Sequence, residues 1–192
     1  MDSSYWYRRM SFTRYRFVRV SRATGDEVGE IPALSGGTIT RNDDTRIKES
    51  AEASLVDDCD FGPDLVRVYL MGEWADGTTA DVVLGTFVPV VPSRSITAGH
   101  STYSLKMYGR LQELLDDEFS APVTVEPGSN AVAVARAVCE AQGLTVVADP
   151  SDYVTTNARS YGVGARQNNS EVGDTKLDMV NDLLSLAGFR AA

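Results

Sequence analysis

Apolar and polar residues alternate with a period of two along much of the first hundred residues. From Ile47 to Leu55 the odd positions Ile47, Ala51, Ala53 and Leu55 are mostly apolar, while Lys48, Ser50, Glu52 and Ser54 between them are polar. A strand with one buried face gives this pattern, because successive side chains point to opposite sides. Tyr103, Leu105 and Met107 alternate in the same way against Thr102, Ser104 and Lys106. Leu65 to Met71 is a nearly continuous apolar run with β-branched and aromatic members, which predicts a more central strand. Asp76-Gly77 between this run and Asp81 to Val91 is a hairpin signal. Pro89 and Pro92 stop the second of these strands or place it on an edge. Short strands at this spacing predict a sandwich or barrel.

The period changes at Tyr108. Tyr108, Leu111, Leu114, Leu115 and Phe119 fall on one helical face, which predicts a helix that plugs a barrel end or packs across its side. Pro122 to Glu126 reads as a short strand. Ser129 or Asn130 then caps a helix with Val134, Val138 and Ala141 inward and Gly143 as its stop. Leu144 to Ala148 reads as a returning strand, and residues 149–173, rich in Asn, Ser and Gly, as a long mobile loop. Asp174 is the expected cap of a last helix that carries Leu177, Val180, Leu183 and Leu184 inward and stops at Gly188. The fold class is therefore α+β: a β-barrel-like antiparallel domain with a small appended α/β unit. Residues 1–35 form a lead-in and first strand, 36–119 the barrel domain, and 120–192 a small α+β unit.

Composition narrows the function. The apolar fraction of 43% and charged fraction of 23% are those of a globular protein with a real core. The net charge of −9 argues against specific nucleic-acid binding, which needs clustered cations. No apolar run approaches the roughly 20 residues of a membrane-spanning helix, and no secretory signal is visible at the N-terminus. Charge is uneven, however. Residues 1–22 hold six arginines, Arg8, Arg9, Arg14, Arg16, Arg19 and Arg22, against one acid, Asp2. They are interleaved with Tyr5, Trp6, Tyr7, Phe12, Tyr15 and Phe17. Such a segment is either a stacking platform for single-stranded nucleic acid or a strand from about Phe12 to Val20. In the strand, the arginines would face solvent or a neighbouring subunit's acids. The acidic balance of the chain favours the strand.

Catalytic signatures are missing. Cys59 and Cys139 do not make a disulfide framework. Cys139 reads as a small buried apolar residue, and the acids around Cys59 would raise its pKa. His100, the single histidine, lacks a nucleophile and an orienting acid in any known arrangement, and one histidine with two distant cysteines makes no structural zinc site. Asp57-Asp58-Cys59-Asp60-Phe61-Gly62 fails as a calcium loop, because Cys59 and Phe61 stand where oxygen ligands belong. Gly162-Val163-Gly164 lacks the third glycine of a dinucleotide fingerprint, with Gln167 in its place. The expectation is a non-enzyme without cofactor or metal.

The order of segments resembles a known family. Gly37-Thr38-Ile39-Thr40-Arg41-Asn42 precedes Arg46-Ile47-Lys48, an Asp-rich link and Asp64-Leu65-Val66-Arg67-Val68. Then follow Leu84-Gly85-Thr86-Phe87 and Leu105-Lys106-Met107-Tyr108-Gly109-Arg110-Leu111-Gln112-Glu113-Leu114. This resembles the amino-terminal part of phage tail-tip hub proteins, in particular the tail-associated minor tail proteins of actinobacterial siphophages and prophages. Many relatives carry Asp in the place of Gly109. The Gly128-Ser129-Asn130 helix start and the helix from Thr175 to Leu184 resemble the unit inserted between two barrels in these hubs. The similarity covers roughly residues 35–190.

The resemblance implies a structural protein at the virion tail tip, a homotrimer in its full-length form. It would close the tail tube below the distal-tail ring protein and carry fibres, a spike or wall-degrading domains. In the family the chain runs on into a second barrel, so this chain is expected to be a fragment. An acidic channel lets DNA slide, and Asp57, Asp58 and Asp60 are expected to face it. Tyr5, Trp6, Tyr7, Arg8, Arg9, Arg14 and Arg16 are expected to dock on a neighbouring subunit or ring protein. Two other readings stand beside this one: the distal-tail ring protein itself, and a carbohydrate- or peptide-binding β module. The module would want exposed aromatics on one face, whereas the dense aromatic cluster lies in the lead-in.

Overall fold

The structure, a computed structural model, describes residues 10–90, 92–97, 100–162, 174–189 and 191. The chain divides into two compact units, Met1–Gly109 and Arg110–Ala192.

The first unit is a single antiparallel sheet. Its strands are β1 (Met10–Val20), β2 (Glu27–Ile31), β3 (Ala33–Arg41), β4 (Glu49–Leu55), β5 (Leu65–Trp74), β6 (Thr79–Pro89), β7 (Ser93–Thr97) and β8 (His100–Gly109). They lie in the order β2-β1-β5-β6-β8-β4-β3, with β7 also paired to β8. The expected strands are present, β4 beginning at Glu49 rather than Ile47. Its odd positions Ala51, Ala53 and Leu55 are buried, as the alternation requires. The β5–β6 hairpin turns at Asp76, whose Oδ1 accepts from the Thr78 N–H at 3.0 Å. Phe17 of β1, Ile31 of β2, Ala53 of β4, Val68 of β5, Phe87 of β6 and Leu105 of β8 belong to one buried cluster. Strands from both halves of the sheet thus share one core, so the sheet curls.

The expected barrel is nevertheless not closed. Among the described residues no ladder joins β3 to β1 or β2. The reason lies at Pro32, which cannot donate to a ladder. Ile31 before it pairs with Phe17 of β1, whereas Ala33 after it pairs with Leu55 of β4. One run of chain passes from one end of the sheet to the other, and among the described residues no ladder closes the gap between them. Gly37 lets β3 approach β4 closely: a Cβ there would lie 1.8 Å from the Glu52 carbonyl oxygen.

The second unit holds α1 (Leu111–Leu115), β9 (Val123–Val125), α2 (Ala131–Ala141), β10 (Arg159–Tyr161) and α3 (Lys176–Leu186). The first helix is shorter than the period predicts. Tyr108 stays in β8, paired with Ser50 and Val88. At the other end Asp117 leaves the helix because its groups are taken elsewhere. Its carbonyl accepts from the Lys176 N–H at 3.0 Å. Its carboxylate accepts from Gln142 Nε2 and Lys176 Nζ, each at 2.5 Å.

Asn130 caps α2, accepting from the Ala133 N–H at 2.9 Å and donating to the Ser151 carbonyl at 2.6 Å. The buried stripe of α2 is Ala131, Val132, Ala135 and Cys139, not Val134, Val138 and Ala141. Small residues let α2 and α3 approach, and this packing outweighs the bulk of the valines. Leu144 to Ala148 forms no strand. Arg159–Tyr161, inside the segment expected to be loop, pairs with β9 instead. Residues 163–173 lie outside the described residues.

Thr175, not Asp174, caps α3, in a reciprocal box with Asp178. The Asp174 carboxylate accepts from the Gly162 N–H at 3.3 Å. Leu177, Val180 and Leu183 are buried as expected, together with Met179, while Leu184 is only half-buried. Gly143 and Gly188 follow their helices at φ +73° and +79°, the left-handed conformation expected of such stops. Among the described residues no helix is long and apolar enough to cross a membrane.

Candidate assembly interface

Long-range pairing of β1 collects a group of charges that the sequence disperses. Register places Arg16 opposite Tyr69 and Tyr69 opposite Val83. The Arg16 guanidinium lies over the Tyr69 ring, 4.4 Å from its centre. It also reaches Asp81 at 3.4 Å and Glu27 at 3.8 Å. Glu27 accepts from the Tyr69 hydroxyl and lies 3.7 Å from Arg67. Each of these partly exposed pairs contributes about 1 kcal/mol or less. Together they pair the Arg16 guanidinium inside its own sheet, while its buried Nε has no hydrogen-bond partner among the described residues.

Arg19 and Arg22 tie down the β4–β5 connection. Arg19 Nε donates to Asp64 at 2.6 Å, and its NH1 donates to the Asp60 carbonyl at 3.1 Å. Arg22 Nε donates to the Pro63 carbonyl at 2.8 Å. Buried Phe61 anchors the loop from below. Asp57, Asp58 and Asp60 are therefore exposed on one fixed loop, with the Asp60 carboxylate accepting from the Gly62 N–H at 2.9 Å. Burial raises the Cys59 thiol pKa; Arg19 opposes this, while Asp58 and Asp60 add to it. The acids act in the expected direction, but burial is the larger cause. No group of three metal-ligating side chains forms among the described residues.

The N-terminal half of β1 differs from the rest. Ser11, Phe12, Thr13, Arg14 and Tyr15 are all exposed, although all of them but Ser11 are paired with β5. Arg14 has no ion-pair partner among the described residues. Tyr5, Trp6, Tyr7, Arg8 and Arg9 lie outside the described residues. The side chain of His100 does too; its backbone opens β8.

In the second unit Tyr161 donates to Asp182 at 2.7 Å, and Arg159 reaches the same carboxylate at 3.3 Å. Burial first, and then the Asp182 carboxylate, pushes the Tyr161 pKa far above its ordinary value. Sequence reasoning missed Glu27, Tyr69, Asp81 and Asp182. Their partners lie 11 to 65 positions away for the β1 group and 21 for Tyr161, so no local spacing signals them.

No family model matches the chain, and no curated protein matches it. Solved structures do. The chain is similar to the tail protein from Neisseria meningitidis MC58, with TM-score 0.55 and 13% identity, over 90% of this chain and 45% of that one. It is also similar to the 43 kDa tail protein of prophage MuSo2 from Shewanella oneidensis, with TM-score 0.56 and 12% identity, over 90% of this chain and 50% of that one. The chain therefore has the fold found in these phage tail proteins, and it spans about half the length of each.

Proposed function

We propose that the chain is a structural component of a phage tail. More narrowly, it is the amino-terminal part of a tail-tip hub that assembles as a homotrimer. The observation that carries the tail reading is the fold likeness to two phage tail proteins over 90% of the chain. The order of segments from Gly37 to Leu114, which resembles actinobacterial-type hubs, supports the narrower reading. In this role the chain closes the tail tube beneath a distal-tail ring protein and anchors fibres, a spike or lytic domains. It performs no catalytic step and needs no cofactor. Asp57, Asp58 and Asp60 face the channel, a reading supported by their exposure on one fixed loop. Repulsion between that surface and the phosphate backbone keeps DNA from sticking.

Immunogold electron microscopy tests the tail reading. Antibody raised to this chain, applied to particles from cells that express the parent gene cluster, should label the distal end of tails. Label on capsids, or none on any particle, would overturn it.

A further inference from the structure

Two extended stretches of this chain have a free hydrogen-bonding edge, and their chemistry matches. The first is β7. Among the described residues it pairs with β8 alone. Ser93, Arg94, Ser95 and Ile96 are all exposed, so neither face of this part of the hairpin is covered. The Lys106 carbonyl of β8 accepts from the Val90 N–H at 2.8 Å. Even-numbered residues of β8 therefore turn their backbone groups toward β7, and their partners Ser93, Ser95 and Thr97 turn theirs toward β8. Arg94 and Ile96 turn theirs the other way, onto the free edge.

The second stretch is residues 145–149 of the second unit. Thr145, Val146 and Val147 are β-branched and favour a strand. Burial alternates as in a strand, with Val146 and Ala148 half-buried and Thr145, Val147 and Asp149 exposed. Yet among the described residues no backbone hydrogen bond reaches any of the five. The stretch is nevertheless held in place. The Leu144 N–H donates to the Cys139 carbonyl at 3.1 Å, and Arg136 NH2 donates to the Ala148 carbonyl at 3.3 Å. With Ala148 turned to Arg136, the backbone groups of Thr145, Val147 and Asp149 point to the opposite edge. Unpaired edges of this kind accept another strand.

The side chains on the two edges are complementary. Ile96 is 64% exposed and Val147 96% exposed, the highest values of any large apolar side chain among the described residues. Two positions from each, on the same face, stands a charge: Arg94 on β7 and Asp149 on the other stretch. Arg94 donates to Ser101 Oγ and lies 5.8 Å from the centre of the Tyr103 ring, with no acid paired to it among the described residues. The Asp149 side chain has no partner among them.

We infer that β7 of one copy of this chain adds as an antiparallel strand to residues 145–149 of a second copy. The inference rests on the trimeric reading above and names a contact surface for it. With Ile96 opposite Val147, antiparallel pairing places Arg94 opposite Asp149, and all four side chains share one face. These four are also residues whose backbone groups point to the free edges. A parallel pairing through Ile96 and Val147 would set Arg94 against Thr145 instead. One register thus serves the backbone, the apolar pair and the charged pair together. Because the two edges differ, the contact is head-to-tail, and a rotation that closes gives a ring.

A cysteine pair reads this directly. As a hydrogen-bonded pair, positions 96 and 147 of neighbouring copies would have Cα atoms about 5.5 Å apart, within the roughly 7 Å reach of a disulfide. Both side chains are exposed, so neither substitution disturbs a core. The full-length form of the protein carrying Ile96→Cys, Val147→Cys and Cys59→Ser is oxidised with copper phenanthroline and run on a denaturing gel without reductant. Linked species of two and three chains, absent from each single-cysteine variant, are the expected result. A product that runs at one chain only overturns the inference. A charge exchange then tests the register. In the same background Arg94→Glu should cut the yield of linked chains by about threefold or more, and adding Asp149→Arg should restore it to within about twofold. Equal yields in all three proteins overturn the pairing. A trimer by light scattering without this link removes the contact and leaves the trimer standing, whereas linked chains in a particle of six keep the contact and remove the trimer.

Discussion

The ring of Phe87 occupies the space that a side chain on Gly85 would need. A Cβ at Gly85 would lie 2.7 Å from Phe87 Cζ and 2.8 Å from Cε2. The two residues are two apart on β6 and face the same side, where Phe87 is fully buried. The Leu84-Gly85-Thr86-Phe87 stretch thus has a packing reason. Gly85→Ala should destabilise the chain by about 1–3 kcal/mol through overpacking. In a Phe87→Leu background the same substitution should cost about 1 kcal/mol less, because the clashing atoms are gone. Urea titration of the four proteins of this cycle checks it; equal costs in both backgrounds would contradict the contact.

Tyr161 sets a pH dependence at the alkaline end. Its pKa is raised in the fold above the ordinary value of about 10. Above that pH the unfolded state loses the tyrosine proton while the folded state keeps it. Unfolded chains then bind fewer protons, so stability falls as pH rises. The contribution is complete below the unfolded pKa and disappears as pH climbs through the folded one. Tyr161→Phe should lower stability at neutral pH by about 1.5–3 kcal/mol, the range for a hydrogen bond to a charged group. It should also flatten the decline above pH 10. Denaturant titrations at a series of pH values up to 11 give both quantities.

Cys139 is 7% exposed on α2, and burial raises its thiol pKa. Cys59 is half-buried in the β4–β5 connection. A thiol reagent at pH 8 should therefore label Cys59 first and Cys139 only as fast as the second unit opens. Mass spectrometry of the two cysteine peptides over time checks the order. Simultaneous labelling would contradict the burial of α2.

Asp57 and Asp58 are exposed, and their side chains have no partner among the described residues. Replacing both with Lys should change stability by no more than about 0.5 kcal/mol each. If the loop faces the channel, the same change should slow DNA release from particles, measured as the rate of genome ejection. Unchanged ejection from intact particles would remove these acids from the channel.

Much of the first unit was legible because a half-buried strand writes its period into the sequence. Ala51, Ala53 and Leu55, or Leu105 and Met107, could be placed inward from alternation alone. Closure was not legible, since it turns on how the chain passes Pro32, where pairing changes from β1 to β4. The second unit was harder. The buried stripe of α2 is made mostly of small residues, Ala131, Ala135 and Cys139, a signal weaker in sequence than Val134 or Val138. The strand Arg159–Tyr161 is three residues long and is fixed by pairing with Val123–Val125 rather than by its own composition. For the candidate interface, the basic segment was visible but its partners were not. Arg16 is paired with Glu27, Tyr69 and Asp81 of its own sheet, and Arg14 has no ion-pair partner among the described residues.

The proposed hub assembles as a homotrimer in its full-length form, and light scattering coupled to size exclusion measures that mass. The full-length form of the protein should then run as a species of three times its chain mass. A hexamer would contradict this and point to the distal-tail ring, and a full-length protein that stays monomeric across the accessible range would contradict both.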